Sequence, residues 1–238
     1  MRKTVICHFF NEEYLLPWWL SHHKTIFDHG IMINYQSIDK SVDLIREICP
    51  SWDIVDSRNL SFAARDVDSE VMDYESKIQG WKIALNVTEF LHGNMSLLDV
   101  TDQSQFKVPI HCMISQNFGD TPTYSEPLHI YNTYGIPFYI GFGCRSIHCV
   151  DVVYETGRHY FNHNIEDIFI TKHTNSPFNE NMLKRSLQIK DRIPEQDRLI
   201  GLGGHHFASK DDRYNTWLNI LLPASQNLQH LWNNPEKL

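Results

Sequence analysis

The chain has 238 residues, 42% of them hydrophobic and 12% aromatic, enough to bury a sizeable core as one large α/β domain or two small ones. A formal net charge of -8 excludes general nucleic-acid binding, because no basic surplus exists to displace phosphate counterions. No apolar run approaches membrane length, the opening MRKTVICHFFNEE is too short and polar for a signal peptide, and five cysteines without CxxC spacing read as free buried thiols, so a soluble cytoplasmic protein is expected.

Thr4 to Phe10 is a β-rich run, and Asn11-Glu12-Glu13 then opens a helical stretch through Leu15, Leu16, Trp19 and His23. Within it, Pro17-Trp18-Trp19 packs the helix on a sheet, with one indole expected to be buried and the other partly exposed. Ile31 to Tyr35 reads as a second strand, Gln36 to Ser41 as a polar loop, and Val42 to Ile48 as a helix with Leu44, Ile45 and Ile48 on one side. A third strand, Trp52 to Val55, a polar helix, Asp66 to Gln79, and a fourth strand, Trp81 to Leu85, complete this half. Alternation at this spacing predicts right-handed crossovers and a doubly wound, Rossmann-like, mostly parallel sheet. Such sheets bind ligands beyond the carboxyl ends of their strands. Three polar clusters fall there: Asn11-Glu12-Glu13, Ser37-Ile38-Asp39 and Asn86-Val87-Thr88-Glu89.

Beyond Gly93 the pattern loosens. Strand-like pieces at Val108 to Ile114, Ile136 to Gly141 and Ile168 to Thr171 are separated by loops rich in Gly, Pro, Asn and Thr. Helical spacing returns at Asn179 to Leu187, Asp211 to Leu222 and Leu228 to Trp232. With no linker to mark a boundary, residues 1–238 read as one domain, an α/β half over 1–93 followed by an irregular lobe over 94–238.

The fourteen histidines show no HExxH spacing, and GxSxG, P-loop and GxGxxG patterns are absent from the sequence. The stretch GRHYFNHN, from Gly157, suits either stacking on sugar rings or a core strand with polar edges.

The order and spacing of three motifs resemble the GT-A fold of glycosyltransferases, most closely families 2 and 92. HFFNEEYLLPWWLSHH resembles their strand, Asn-Glu-Glu and helix, INYQSIDKSVDLI their Asn-x-x-Ser-x-Asp loop, and WKIALNVTEF their Asp-x-Asp-Glu-Phe, which a Trp precedes by five residues as Trp81 precedes Asn86. The resemblance covers residues 4 to 93, and it implies a nucleotide-binding half there and an acceptor lobe in the remainder. It implies that Asn11, Glu12 and Asp39 line a nucleotide pocket and that Asn86, Thr88 and Glu89 face the donor. Glu12 and Glu13 would equally suit any helix amino terminus, and Asp39 any turn.

The departure lies at the metal site. Families of this kind hold Mn2+ or Mg2+ on carboxylates to stabilise a diphosphate leaving group. Here Asn86 and Thr88 replace both aspartates of the motif, and Glu89 alone survives. Three outcomes stay open. Glu89 could hold a metal with His205 or His206 of GLGGHHF. The cations Lys172, Lys184, Arg185, Lys190 and Arg192 could replace it. The domain could also bind without turnover. An inverting reaction also needs a base, for which NHNIEDIF offers Glu166 and Asp167, with Asp167 the candidate. The function the resemblance implies is transfer of a sugar from a nucleotide-sugar donor to a glycan or other acceptor, or, in a non-catalytic relative, sugar or nucleotide binding alone. A nucleotidyltransferase is the weaker alternative, since no phosphate loop follows the first strand.

Overall fold

The computed structural model describes residues 1–137, 144–154, 156–158, 165 and 167–232. Its first half alternates as the sequence predicts: β1 (Lys3–Phe9), α1 (Leu16–His23), β2 (His29–Asn34), α2 (Ser41–Ile48), β3 (Asp53–Asp56), α3 (Ala64–Glu75) and β4 (Trp81–Ala84). The four strands are mutually parallel in the order β3-β2-β1-β4. Their carboxyl ends therefore share one edge, which carries Asn11, Ser37, Asp39 and Asn86.

Period-two alternation along β1 divides the core between the faces. Val5, Cys7 and Phe9 pack with Leu16, Trp19 and Leu20 of α1 and Ile45 of α2. Ile6 points the other way, toward Val67 and Val71 of α3. Helices on both faces make the sheet doubly wound. Both indoles of α1 are buried, which corrects the expectation of one exposed ring: Trp18 Nε1 donates to the carbonyls of Thr123 and Glu126, and the ring lies 4.3 Å from that of Tyr124.

The second half extends the same sheet with β5 (Glu89–Gly93), α4 (Leu97–Val100), β6 (Gln105–Ile114), α5 (Leu128–Tyr131), β7 (Tyr134–Ile136), β8 (Cys144–His148), β9 (Ile168–Asn175) and α6 (Glu180–Lys190). β8 lies antiparallel between β4 and β6. The ten-residue β6 divides its pairing: Gln105 to Pro109 face β8, whereas Ile110 onward faces β9 and β7. Pro109, which has no N–H to donate, stands at the handover.

The sequence reads Asn86 to Glu89 as a polar cluster after the fourth strand, but Glu89 to Gly93 form a strand of their own, antiparallel to β9, with Glu89 opposite Lys172 and Gly93 opposite Ile168. Gly93 has φ +114, and a Cβ there would lie 2.0 Å from the Asp167 carbonyl oxygen, so only glycine fits. The chain then runs through α7 (Glu195–Leu199), a 3-10 turn (Gly204–Phe207) and α8 (Lys210–Thr216), whose Ser209 and Asp212 form a capping box. None of the five cysteines is in a disulfide. No helix of the described residues is long and apolar enough to cross a membrane.

Candidate functional site

The edge at the end of β1 is built from two groups of ion pairs. On one side Glu12, 4% exposed, receives both arms of the Arg185 guanidinium, at 2.6 and 2.5 Å. Three residues further along α6, on the same face, Gln188 donates to the carbonyl oxygen of Asn11 at 2.9 Å. Arg192 follows, donating to the Tyr35 carbonyl with its guanidinium 4.1 Å above the Phe10 ring. Arg185 and Arg192 thus reach the strand ends as the sequence expects of that basic segment. Lys184 and Lys190 instead line an open groove with Leu187 and Lys210.

The loops after β1 and β2 are clasped by their own polar side chains. Asn11, at φ 50, donates its backbone N–H to Ser37 Oγ and accepts the N–H of Ile38 on its side-chain oxygen. One Asp39 oxygen accepts the N–H of Glu13 and the other that of Ser41. Each oxygen keeps a further lone pair. These residues come together as predicted, and the contacts that place them are internal ones.

On the other side lies Glu89, fully buried, at the start of β5. Arg145 of β8 grips it with two bonds, Nε to Oε2 at 2.9 Å and Nη2 to Oε1 at 2.8 Å, while Lys172 Nζ stands 3.9 Å from Oε1. The Asn86 backbone N–H and side-chain amide donate to the same carboxylate, and Trp19 Nε1 fixes the Glu89 carbonyl. Burial pushes the Glu89 carboxyl up, but Arg145, Lys172 and the hydrogen bonds outweigh it and hold it at about 2.

Arg158 completes this side. Its Nη2 donates to Asn86 Oδ1 at 2.6 Å and its Nη1 to His8 Nδ1 at 3.2 Å, with Asp68 3.8 Å away. Its Nε is buried without a hydrogen-bond partner among the described residues. Gly157 ties the group together, donating its N–H to Asp68 and accepting from Arg145. Arg145, Arg158, Lys172 and Arg185 therefore face Glu12, Asp68 and Glu89. Burial and the two arginines hold the His8 imidazole well below its usual range, so it is neutral and accepts from Arg158.

The residues at this position do not fit a divalent metal. Both Glu89 oxygens are taken by Arg145 and Asn86, and the Asn86 oxygen is taken by Arg158. Thr88 is buried and its carbonyl accepts from the His173 N–H. His206 lies in the 3-10 turn of residues 204–207, where its N–H donates to Gly203, and it is not among the Glu89 partners described above. The His205 side chain, Glu166 and residues 159–164 of GRHYFNHN lie outside the described residues. Asp167 precedes β9 at the far end of the β5 ladder, five residues from Lys172 or about 16 Å at the rise of a strand, so the structure does not bring it to Glu89.

Sequence reasoning missed Arg145, Arg158 and Asp68. A signal existed for Arg145: an arginine inside the apolar alternation of CRSIH must be buried with a partner.

No protein-family model matches the chain, and no curated protein matches it. Among solved structures it is similar to the mannosyltransferase PcManGT from Pyrobaculum calidifontis in complex with GDP-Man and Mn2+, with TM-score 0.34 and 12% identity over 48% of this chain and 36% of that one. It is similar also to S. aureus TarS 1-349, with TM-score 0.42 and 12% identity over 98% of this chain and 78% of that one. With the same TarS piece in complex with UDP-GlcNAc the TM-score is 0.38 and the identity 13%, over 63% and 45%. The chain thus spans less than half the length of the mannosyltransferase and of the UDP-GlcNAc complex.

Proposed function

We propose that this chain is a glycosyltransferase-like domain that holds the diphosphate of a nucleotide sugar at the carboxyl end of β1, on side-chain cations rather than on a divalent metal. The observation that carries the reading is Arg158, which bonds the side chain at the first position of the degenerate metal motif, Asn86, and keeps a buried Nε–H without a hydrogen-bond partner among the described residues. A phosphate oxygen would satisfy that donor, and a guanidinium is suited to such an acceptor. Lys172, with 19% of its side chain exposed, is the edge of the cluster that an incoming anion meets first. In this reading Asn11, Glu12 and Asp39 shape the nucleotide loops, with the spare lone pairs of Asp39 turned to ribose or base. Glu89 keeps Arg145 and Lys172 in place.

A second reading, binding without turnover, is favoured by the state of the carboxylates. Asp68 and Glu89 are both held in ion pairs, and Asp167 stands at the other end of the ladder. A general base must reach the proton it removes.

Calorimetric titration with a panel of nucleoside diphosphates and nucleotide sugars, in chelator and again in Mn2+, tests the proposal. One nucleotide should bind equally well in both buffers, and Arg158→Ala should weaken it about tenfold or more. Binding that requires Mn2+, or no binding to any nucleotide, overturns it. Release of nucleoside diphosphate from the bound donor then separates transferase from binding module.

A further inference from the structure

Three histidines from separate elements meet away from the ion pairs just described: His22 in the last turn of α1, His92 on β5 and His129 on α5. One ring nitrogen from each lies within 4.8 Å of the others. The ring centroids are 4.8 Å apart for His22 and His92 and 5.0 Å for His92 and His129. Sequence spacing hides the group, because its members are seventy and thirty-seven residues apart in the chain.

The hydrogen-bond network assigns the tautomers. The Ser176 carbonyl can only accept, so His173 Nδ1 carries a proton toward it, at 3.0 Å. His173 Nε2 is then an acceptor for the Thr171 hydroxyl at 3.1 Å. Thr171 Oγ1, having given its proton, accepts from His92 Nε2 at 2.9 Å. His92 Nδ1 is left with its lone pair. By the same logic the Leu91 carbonyl, 2.6 Å from His22 Nε2, takes that proton and leaves a lone pair on His22 Nδ1. An imidazole whose second nitrogen donates to a carbonyl or hydroxyl is the arrangement that orients metal ligands. His129 makes no hydrogen bond among the described residues and is held by stacking on Trp232, with centroids 5.6 Å apart and planes 17° apart. Phe169 stacks on His92 from the other element of the ladder.

We propose that His22, His92 and His129 form a binding site for one divalent ion of the borderline class, with Zn2+ as its reference ion and a fourth position left to water. Imidazole sets of this kind suit Zn2+, Cu2+ or Ni2+ and not Mg2+ or Ca2+. A tetrahedral ion with bonds of about 2.0–2.1 Å needs its nitrogens about 3.4 Å apart. Binding therefore draws the three rings closer than they stand in the structure, and His129, held by ring contacts alone among the described residues, is the ring best able to turn.

The test uses the untagged full chain, stripped with a chelator and titrated with ZnCl2 against a colorimetric zinc indicator, with no nucleotide present, so its outcome is separate from the diphosphate reading. One ion should bind per chain, and Co2+ in its place should give the visible absorption of a tetrahedral centre. His129→Ala, on a short and partly exposed helix, should weaken binding more than about 100-fold, beyond the loss typical of an outer partner, whereas Thr171→Val should weaken it about tenfold. Circular dichroism melts establish that both variants fold, and His22→Asn serves in place of either that does not. Absence of one-to-one binding overturns the site, as does an affinity that His129→Ala or His22→Asn leaves unchanged.

Discussion

Glu89 shows how one residue changes meaning between sequence and structure. In NVTEF it stands as the surviving acid of a metal motif; in the fold it is the counter-ion of Arg145. Removing one partner of a buried pair leaves the other charge without compensation and costs about 3–5 kcal/mol, a large part of a typical folding free energy. Glu89→Gln should lower the urea midpoint accordingly. Glu89→Gln combined with Arg145→Met should recover part of that loss, because the Arg145 charge is then no longer stranded, while Lys172 still loses the Glu89 carboxylate. A double variant no more stable than the single one would show that the pair is not what holds this corner.

At the level of elements, the β5–β9 ladder joins the Glu89 ion pairs to the histidine cluster, since Glu89, His92 and Thr171 all belong to it. Gly93→Ala would drive a methyl into the Asp167 carbonyl and force an alanine to φ +114, so it should cost at least about 2 kcal/mol and loosen the far end of the ladder. The change in unfolding free energy measures this, and a neutral substitution would mean that the strand ends differently. The ladder also marks where the sequence stops being legible. β1 to β3 are readable because each is followed by its own helix, and β4 because Trp81 to Leu85 is a short apolar run; the observed Lys3–Phe9 and Trp81–Ala84 agree with the expected strands within a residue. β5 and β8 are not, because their hydrogen-bond partners lie many residues away and their side chains include Glu89, His92, Arg145 and His148. The polar loops after β1, β2 and β4 are legible as a candidate site from strand order alone. The arginines that occupy the metal position are not, since Arg158 sits in a loop whose rings, rather than its cation, draw attention.

Taken whole, the molecule is acidic and encloses several histidines. Seven histidines, His8, His22, His23, His92, His111, His129 and His173, are all shifted downward, chiefly by burial. A folded pKa below the unfolded one means that the unfolded chain binds more protons, so stability is fully present above about pH 6.5 and is lost as pH falls toward about 4 for His111 and His129 and about 3 for His173. Glu89 adds a second loss of about 3 kcal/mol between about pH 4.5 and its folded value of about 2. Urea titrations at fixed pH should therefore show stability falling already from about pH 6.5; a flat profile down to pH 5 would contradict the neutral histidine interior. The strand β6 has a consequence of its own. Because residues 105–109 and 110–114 of one strand serve different neighbours, neither set of pairings can come apart without fraying the other. Amide protons of β8 and β9 should then exchange with solvent in the same opening event, so that the strands joined through β6 open as a single cooperative unit.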